Sequence, residues 1–180
     1  VTELEKGEFK KRSVKVKLAK VNKIYNGKAQ TLTTGDASSE LFVTDASGIG
    51  LNPYDPATGE GEYTVTYSAN VNAGTVKVTV NGVGSHTGTV KKSFKIAPNK
   101  TASFEVVPEK TTYSYVKTGV KPALTVTATL LTGEKYTLTE GRDYKVTYSG
   151  NKKVGTAKCK LTFLGNYKGA KYTGTNGDVT

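Results

Sequence analysis

Two stretches of the chain alternate apolar and polar residues so regularly that each identifies the other. YTVTYSANVNAGTVKVTV begins at Tyr63, and YKVTYSGNKKVGTAKCKLTF begins at Tyr144. In both, Tyr, Val and Tyr alternate with Thr or Lys, the period-two pattern of a half-buried strand. A connection carrying Ser, Asn and Gly follows, residues that suit a turn needing local hydrogen bonds and positive φ. A second alternating run comes after the Gly. Set over each other without a gap, 63–88 and 144–169 share 11 of 26 residues. The pattern predicts one β-hairpin per copy. A repeated catalytic site would need reactive groups inside the repeat, and the shared residues are Tyr, Val, Thr, Ser, Asn, Gly and Lys.

The same alternation predicts strands at 12–18, 22–26, 29–33, 40–44, 62–68, 74–82 and 89–96 in the first half. In the second half it predicts 103–107, 112–116, 123–131, 135–138, 143–149, 155–164 and 170–174. Seven short strands in about 90 residues is the rhythm of an Ig-like sandwich. The fold expected is therefore all-β, two tandem Ig-like β-sandwich domains, residues 1–98 and 99–180, with Pro98-Asn99-Lys100 beginning the linker. A weaker match sets IYNGKAQTL (24–32) beside YVKTGVKPAL (115–124), with Gly27 opposite Gly119. On that alignment the first copy carries 11 extra residues, placed in the Gly- and Pro-rich loop 45–62. The first domain closes with VKKSFKI (90–96), the second with KYTGTNG (171–177), so the last strand of the second domain reads as incomplete.

Composition narrows the functional classes. No run of about 18 apolar residues is present, so no membrane-spanning helix is expected. The chain opens on Val and shows no secretory signal, which reads as a piece of a longer parent. Of 26 basic residues only Arg12 and Arg142 are Arg, leaving 24 Lys, for a net charge of +11. Nucleic-acid readers favour the planar fork of Arg. Here Lys alternates with apolar residues, as in SVKVKLAKV (13–21), the arrangement of wet strand faces and blunted sheet edges. Specific nucleic-acid recognition is not expected; a salt-sensitive attraction to an anionic polymer is the other use of such a surface.

Candidate chemistry is sparse. Cys159 is the sole cysteine, on one strand face with Ala157, Leu161 and Phe163, and reads as a small hydrophobe. His86 is the sole histidine, in the turn-like GVGSHTG, and reads as a turn residue without catalytic partners. Asp45, Asp55, Glu60 and Glu62 gather in the extra loop without the spacing of a calcium motif. Tyr54, in NPYDP, has no alternating pattern around it and is the best candidate for a ligand-contacting aromatic. The expected binding residues are therefore Tyr54, Asp45 and Asp55, with no catalytic residue, metal or cofactor.

The wording of both copies resembles a repeat of Gram-positive and gut bacterial surface proteins. The second copy carries it through Gly141, Asp143, Tyr144, Val146, Tyr148, Asn151, then Val154-Gly155-Thr156-Ala157 and Gly165-Asn166-Tyr167 with Gly169. The first carries Tyr25, Gly27, Lys28, Tyr63, Tyr67, Asn70, Gly74, Thr75, Gly84 and Gly88, but has Ser85-His86 where Asn-Tyr is usual. The resemblance implies a tandem of extracellular Ig-like modules acting as a non-catalytic structural or adhesion segment of a surface or secreted protein. Its expected partners are a cell-wall polymer, a glycan or a host or surface protein, with the fragment itself monomeric. The alternative is a carbohydrate-binding module using the 45–62 loop.

Overall fold

The computed structural model describes residues 10–36, 38–172 and 178–179. It is all-β, with several sheets. The strands are β1 (Arg12–Ser13), β2 (Lys15–Leu18), β3 (Lys23–Ile24), β4 (Leu41–Thr44), β5 (Tyr63–Ser68), β6 (Gly74–Gly82), β7 (His86–Thr87) and β8 (Thr89–Ala97). They continue with β9 (Ser103–Pro108), β10 (Leu124–Thr129), β11 (Lys135–Thr137), β12 (Tyr144–Ser149), β13 (Ala157–Phe163) and β14 (Asp178–Val179). One 3-10 turn covers Gly165–Tyr167. The larger sheets run β3-β8-β6-β5, β11-β10-β9 and β12-β13-β14, with β1 beside β7 and β2 beside β4.

The chain divides into two compact units. Unit 1 takes the chain up to Lys23, then Ala29–Asn70 and Gly74–Ile96; unit 2 takes Ile24–Lys28, Val71–Ala73 and the chain from Ala97 on.

Both repeated sequences form the hairpins their alternation predicts. In unit 1, β5 and β6 pair antiparallel from Tyr63↔Gly82 to Ser68↔Lys77. In unit 2, β12 and β13 pair from Tyr144↔Phe163 to Ser149↔Lys158. Val76, Val78 and Val80 on β6 are fully buried, with Leu41, Tyr63 and Ile96 beside them in the core. Burying one such side chain is worth about 1.5–3 kcal/mol, so the inward face of β6 alone contributes several. Unit 2 packs around Val106, Val126, Ala128 and Tyr144, with Phe104 stacked on Phe163 at 3.9 Å and edge-on to Tyr167 at 5.7 Å. Cys159 is half-buried opposite Tyr148, on the face sequence alternation assigns it.

Repeated residues bond the backbone of a neighbouring segment in each unit. Asn70 Nδ2 donates to Gln30 O at 3.2 Å while Gln30 N–H donates to Asn70 O at 2.8 Å. Asn151 Nδ2 donates to Val120 O at 2.8 Å while Val120 N–H donates to Asn151 O at 2.9 Å. Two residues further along, Leu32 N–H donates to the Tyr67 hydroxyl at 3.1 Å, and the Tyr148 hydroxyl donates to Pro122 O. Each latch ties an irregular segment to the end of its hairpin. Gln30 thus corresponds to Val120 and Leu32 to Pro122, two residues away from the register that aligns Gly27 with Gly119.

Segments 29–33 and 112–116 are not strands. The first has its backbone groups engaged by Asn70, the Tyr67 hydroxyl and Glu40, singly rather than as a ladder. The run 12–18 is interrupted at Val14, whose N–H bonds Thr87 O while β2 turns to β4. Residues 170–172 of the expected last strand are irregular, and 173–174 lie outside the described residues; β14 instead pairs with Ala157 and Lys158. His86 is not a turn residue, satisfied or exposed: it lies in β7, parallel to β1, only 8% exposed.

Candidate functional site

The loop 45–62 is ordered by its own polar groups. Asp45 is fully buried: its Oδ1 accepts the N–H of Ser47 at 2.8 Å and of Ile49 at 2.9 Å, and its Oδ2 accepts Arg12 Nη1 at 3.0 Å. The Ile49 N–H, with the Arg12 guanidinium, holds its carboxyl below the usual carboxylate range against the opposing effect of burial. Asp55 is exposed, and its Oδ1 accepts Ala57 N–H at 2.8 Å, closing a tight turn in which Asp55 N–H bonds Glu60 O. Both carboxylates therefore act as turn caps.

Tyr54 is 41% exposed, while its N–H is anchored to Tyr63 O at 2.7 Å. Gly61 makes that close pass feasible. Its φ is +110°, and a Cβ there would meet Pro53 O at 2.4 Å and Tyr54 Cα at 2.6 Å. The loop thus presents an aromatic ring from a fixed backbone. Among the described residues, no three His, Cys, Asp or Glu side chains come together to hold a metal ion.

Unit 2 carries features that the sequence pattern left unmarked. A cavity of about 230 Å³ is lined by Tyr113, Tyr115, Val116, Val120, Asn151 and Val154, among others. Tyr115 is 60% exposed and Val154 88%. The segment 112–116 forms no ladder: Tyr115 stands exposed, while Tyr113 is half-buried and its hydroxyl accepts the Lys110 N–H at 2.9 Å. Elsewhere in unit 2, Asp143 is 4% exposed and accepts Thr139 N–H at 2.8 Å and Arg142 Nη2 at 2.7 Å. Burial pushes the Asp143 carboxyl up, and Arg142 with the Thr139 N–H outweighs it, leaving it below the ordinary range.

The positions that correspond across the repeat, His86 and Tyr167, share an unusual property. His86 Nε2 and the Tyr167 hydroxyl are buried polar atoms without a well-formed hydrogen bond among the described residues, the Tyr167 hydroxyl having the Tyr25 hydroxyl near it. The Tyr25 ring lies edge-on to Tyr167 at 5.6 Å, and burial pushes the Tyr167 hydroxyl's pKa upward. Such atoms are costly in a core.

No family model, curated protein or solved structure matches the chain.

Proposed function

We propose that the chain is a non-catalytic structural or adhesion segment of an extracellular bacterial surface or secreted protein, built as two tandem Ig-like modules. The observation that carries this reading is the use made of the repeated residues. Asn70 and Asn151, Tyr67 and Tyr148 direct their polar atoms at the backbone of their own unit. What the chain duplicates is a way of closing a β-unit. The carboxylates of the extra loop are engaged in the same manner, Asp45 by Ser47, Ile49 and Arg12, and Asp55 by Ala57.

A carbohydrate-binding module is the second reading, favoured by one observation: Tyr54 is exposed on a backbone already fixed by Tyr63 and Gly61. A pre-organised ring binds at a lower entropic cost than a mobile one. Binding of the unaltered chain and of Tyr54→Ala to a panel of neutral and anionic glycans at physiological salt separates the two. The structural reading expects no saturable binding to a neutral sugar and no change in Tyr54→Ala. Saturable binding lost in Tyr54→Ala overturns it in favour of the sugar-binding module.

A further inference from the structure

The outward face of the β8-β6-β5 sheet in unit 1 is built without a single acid. Residues 63–97 contain no Asp or Glu, yet hold Lys77, Lys91, Lys92 and Lys95, all exposed. Because Val76, Val78 and Val80 face the core, the intervening Thr75, Lys77 and Thr79 face outward, and strand pairing sets them against Lys95, Ser93 and Lys91. On β5, Thr66 and Ser68 lie opposite Thr79 and Lys77 and extend the same face. Lys77, Lys91 and Lys92 line a shallow open groove there with Ser68, Thr79 and Ser93.

Pairing geometry fixes how these charges are spaced. Lys91 and Lys95 are four residues apart on β8, about 13 Å, and Lys77 stands on the neighbouring strand opposite Ser93, about 5 Å to the side. The Cα atoms of the three lysines therefore zigzag along the sheet in steps of about 8 Å, with Thr and Ser residues between them. Among the described residues none of the four lysines is in an ion pair; the pairs formed are Arg12–Asp45, Lys23–Glu40, Lys28–Glu134 and Arg142–Asp143. Like charges this close, without counter-charges, favour a multivalent anion over separate small ions.

The chemistry of the face selects among anions. Tyr63, Val65 and Tyr67 alternate to the opposite side, so no aromatic ring is offered for base stacking, and no Arg is present to fork onto a base edge or phosphate. Among the described residues of β5, β6 and β8, no large apolar side chain stands on this face to enter a lipid surface. Alternating ammonium and hydroxyl groups match a chain that alternates phosphate with polyol hydroxyls.

We propose that this sheet face docks a linear polyol-phosphate polymer lying along the Lys91–Lys77–Lys95 zigzag. The inference rests on the reading of the chain as a surface module and names the partner class of that module. Each phosphate sits between neighbouring ammonium groups, and Thr79 and Ser93 hydroxyls meet the polyol.

The test is binding of the complete chain to purified poly(glycerol phosphate), with single-stranded DNA of equal charge and phosphatidylglycerol vesicles as the other arms. The triple variant Lys77→Gln/Lys91→Gln/Lys95→Gln is expected to lose about tenfold in affinity, since each removes one screened charge contact. Lys117→Gln/Lys121→Gln/Lys152→Gln, on unit 2, is expected to lose less than about twofold. Circular dichroism checks that both variants are folded, and Lys77→Arg/Lys91→Arg/Lys95→Arg, which keeps the charge, is expected to retain binding. Equal losses in the two glutamine variants would overturn the proposal, as would absent binding in the unaltered chain. DNA or vesicles held more tightly than the polymer through the same lysines would overturn the choice of partner. Each of these outcomes leaves the neutral-glycan result for Tyr54→Ala, and hence the structural reading, standing or falling by itself.

Discussion

Asn151 and Val120 bond each other twice, side-chain amide to carbonyl at 2.8 Å and backbone N–H to carbonyl at 2.9 Å. Asn70 and Gln30 repeat the arrangement in unit 1 at 3.2 and 2.8 Å. Only Asn reaches here with a donor while its own backbone pairs the same residue; Asp lacks the donor and Gln is a methylene too long. Replacing Asn151 with Ala leaves the Val120 carbonyl with one fewer donor in a half-buried place, and is expected to cost about 1–2 kcal/mol. Asn70→Ala is expected to fall in the same range. Urea unfolding followed by circular dichroism measures both; a cost below about 0.3 kcal/mol for each would remove the latch from the account.

A second repeat pair differs where it should not. Ala69 holds φ = 59°, and its counterpart Gly150 holds φ = 70°. A side chain at such an angle costs about 1 kcal/mol that Gly avoids. Ala69→Gly is therefore expected to stabilise the protein by about that amount. Gly150→Ala is expected to destabilise it by more, since the added Cβ would also press on Thr156 O at 3.1 Å. Thermal melts of the two single variants check the opposite signs.

Hairpin positions were legible because their alternation is strict: 74–82 was read from sequence with the bounds of β6, and 62–68 and 143–149 each fell one residue wide of β5 and β12. Segments 29–33 and 112–116 misled because apolar alternation there serves latches and a cavity wall, and periodicity does not tell a ladder from single hydrogen bonds. Tyr115 came out exposed for the same reason. Asp45 read as a surface carboxylate because Asp-Ala-Ser-Gly is loop-like; the Arg12 that meets it lies 33 residues earlier, a distance no local pattern spans.

Acid should loosen both units. Asp45 and Asp143 have carboxyls held below their ordinary value, Asp45 chiefly by the Ile49 N–H and Asp143 by Arg142 against burial. A depressed folded pKa contributes stability that is fully present above the unfolded value of about 4 and is lost as pH falls through the folded value. Melting temperature is therefore expected to decline as pH drops below about 4, and Asp45→Asn to flatten part of that decline. A decline of the same size in Asp45→Asn and Asp143→Asn as in the unaltered chain would contradict the assignment.

Alkali acts on unit 2 through its buried and half-buried tyrosines, Tyr148 among them. Burial, with Cys159 and Glu140 near, pushes the Tyr148 hydroxyl up to about 12. A raised folded pKa means stability that is fully present below the unfolded value of about 10 and is lost as pH rises toward 12. Tyr148→Phe is expected to weaken this alkaline loss while costing stability at neutral pH, because the Pro122 carbonyl loses its donor. Ultraviolet tyrosinate titration alongside far-UV circular dichroism follows both changes.

The repeated residues are expected to lock their own units, and amide hydrogen exchange reads the locks directly. The N–H groups of Gln30 and Val120 lie outside every strand, yet each donates to the Asn it faces. They are expected to exchange about as slowly as the core amides of Val78 and Val126, with Asn70→Ala speeding Gln30 alone and Asn151→Ala speeding Val120 alone. Exchange at both amides as fast as at the exposed loop residue Thr58, and unchanged in the two variants, would show that the repeat does something other than close each unit.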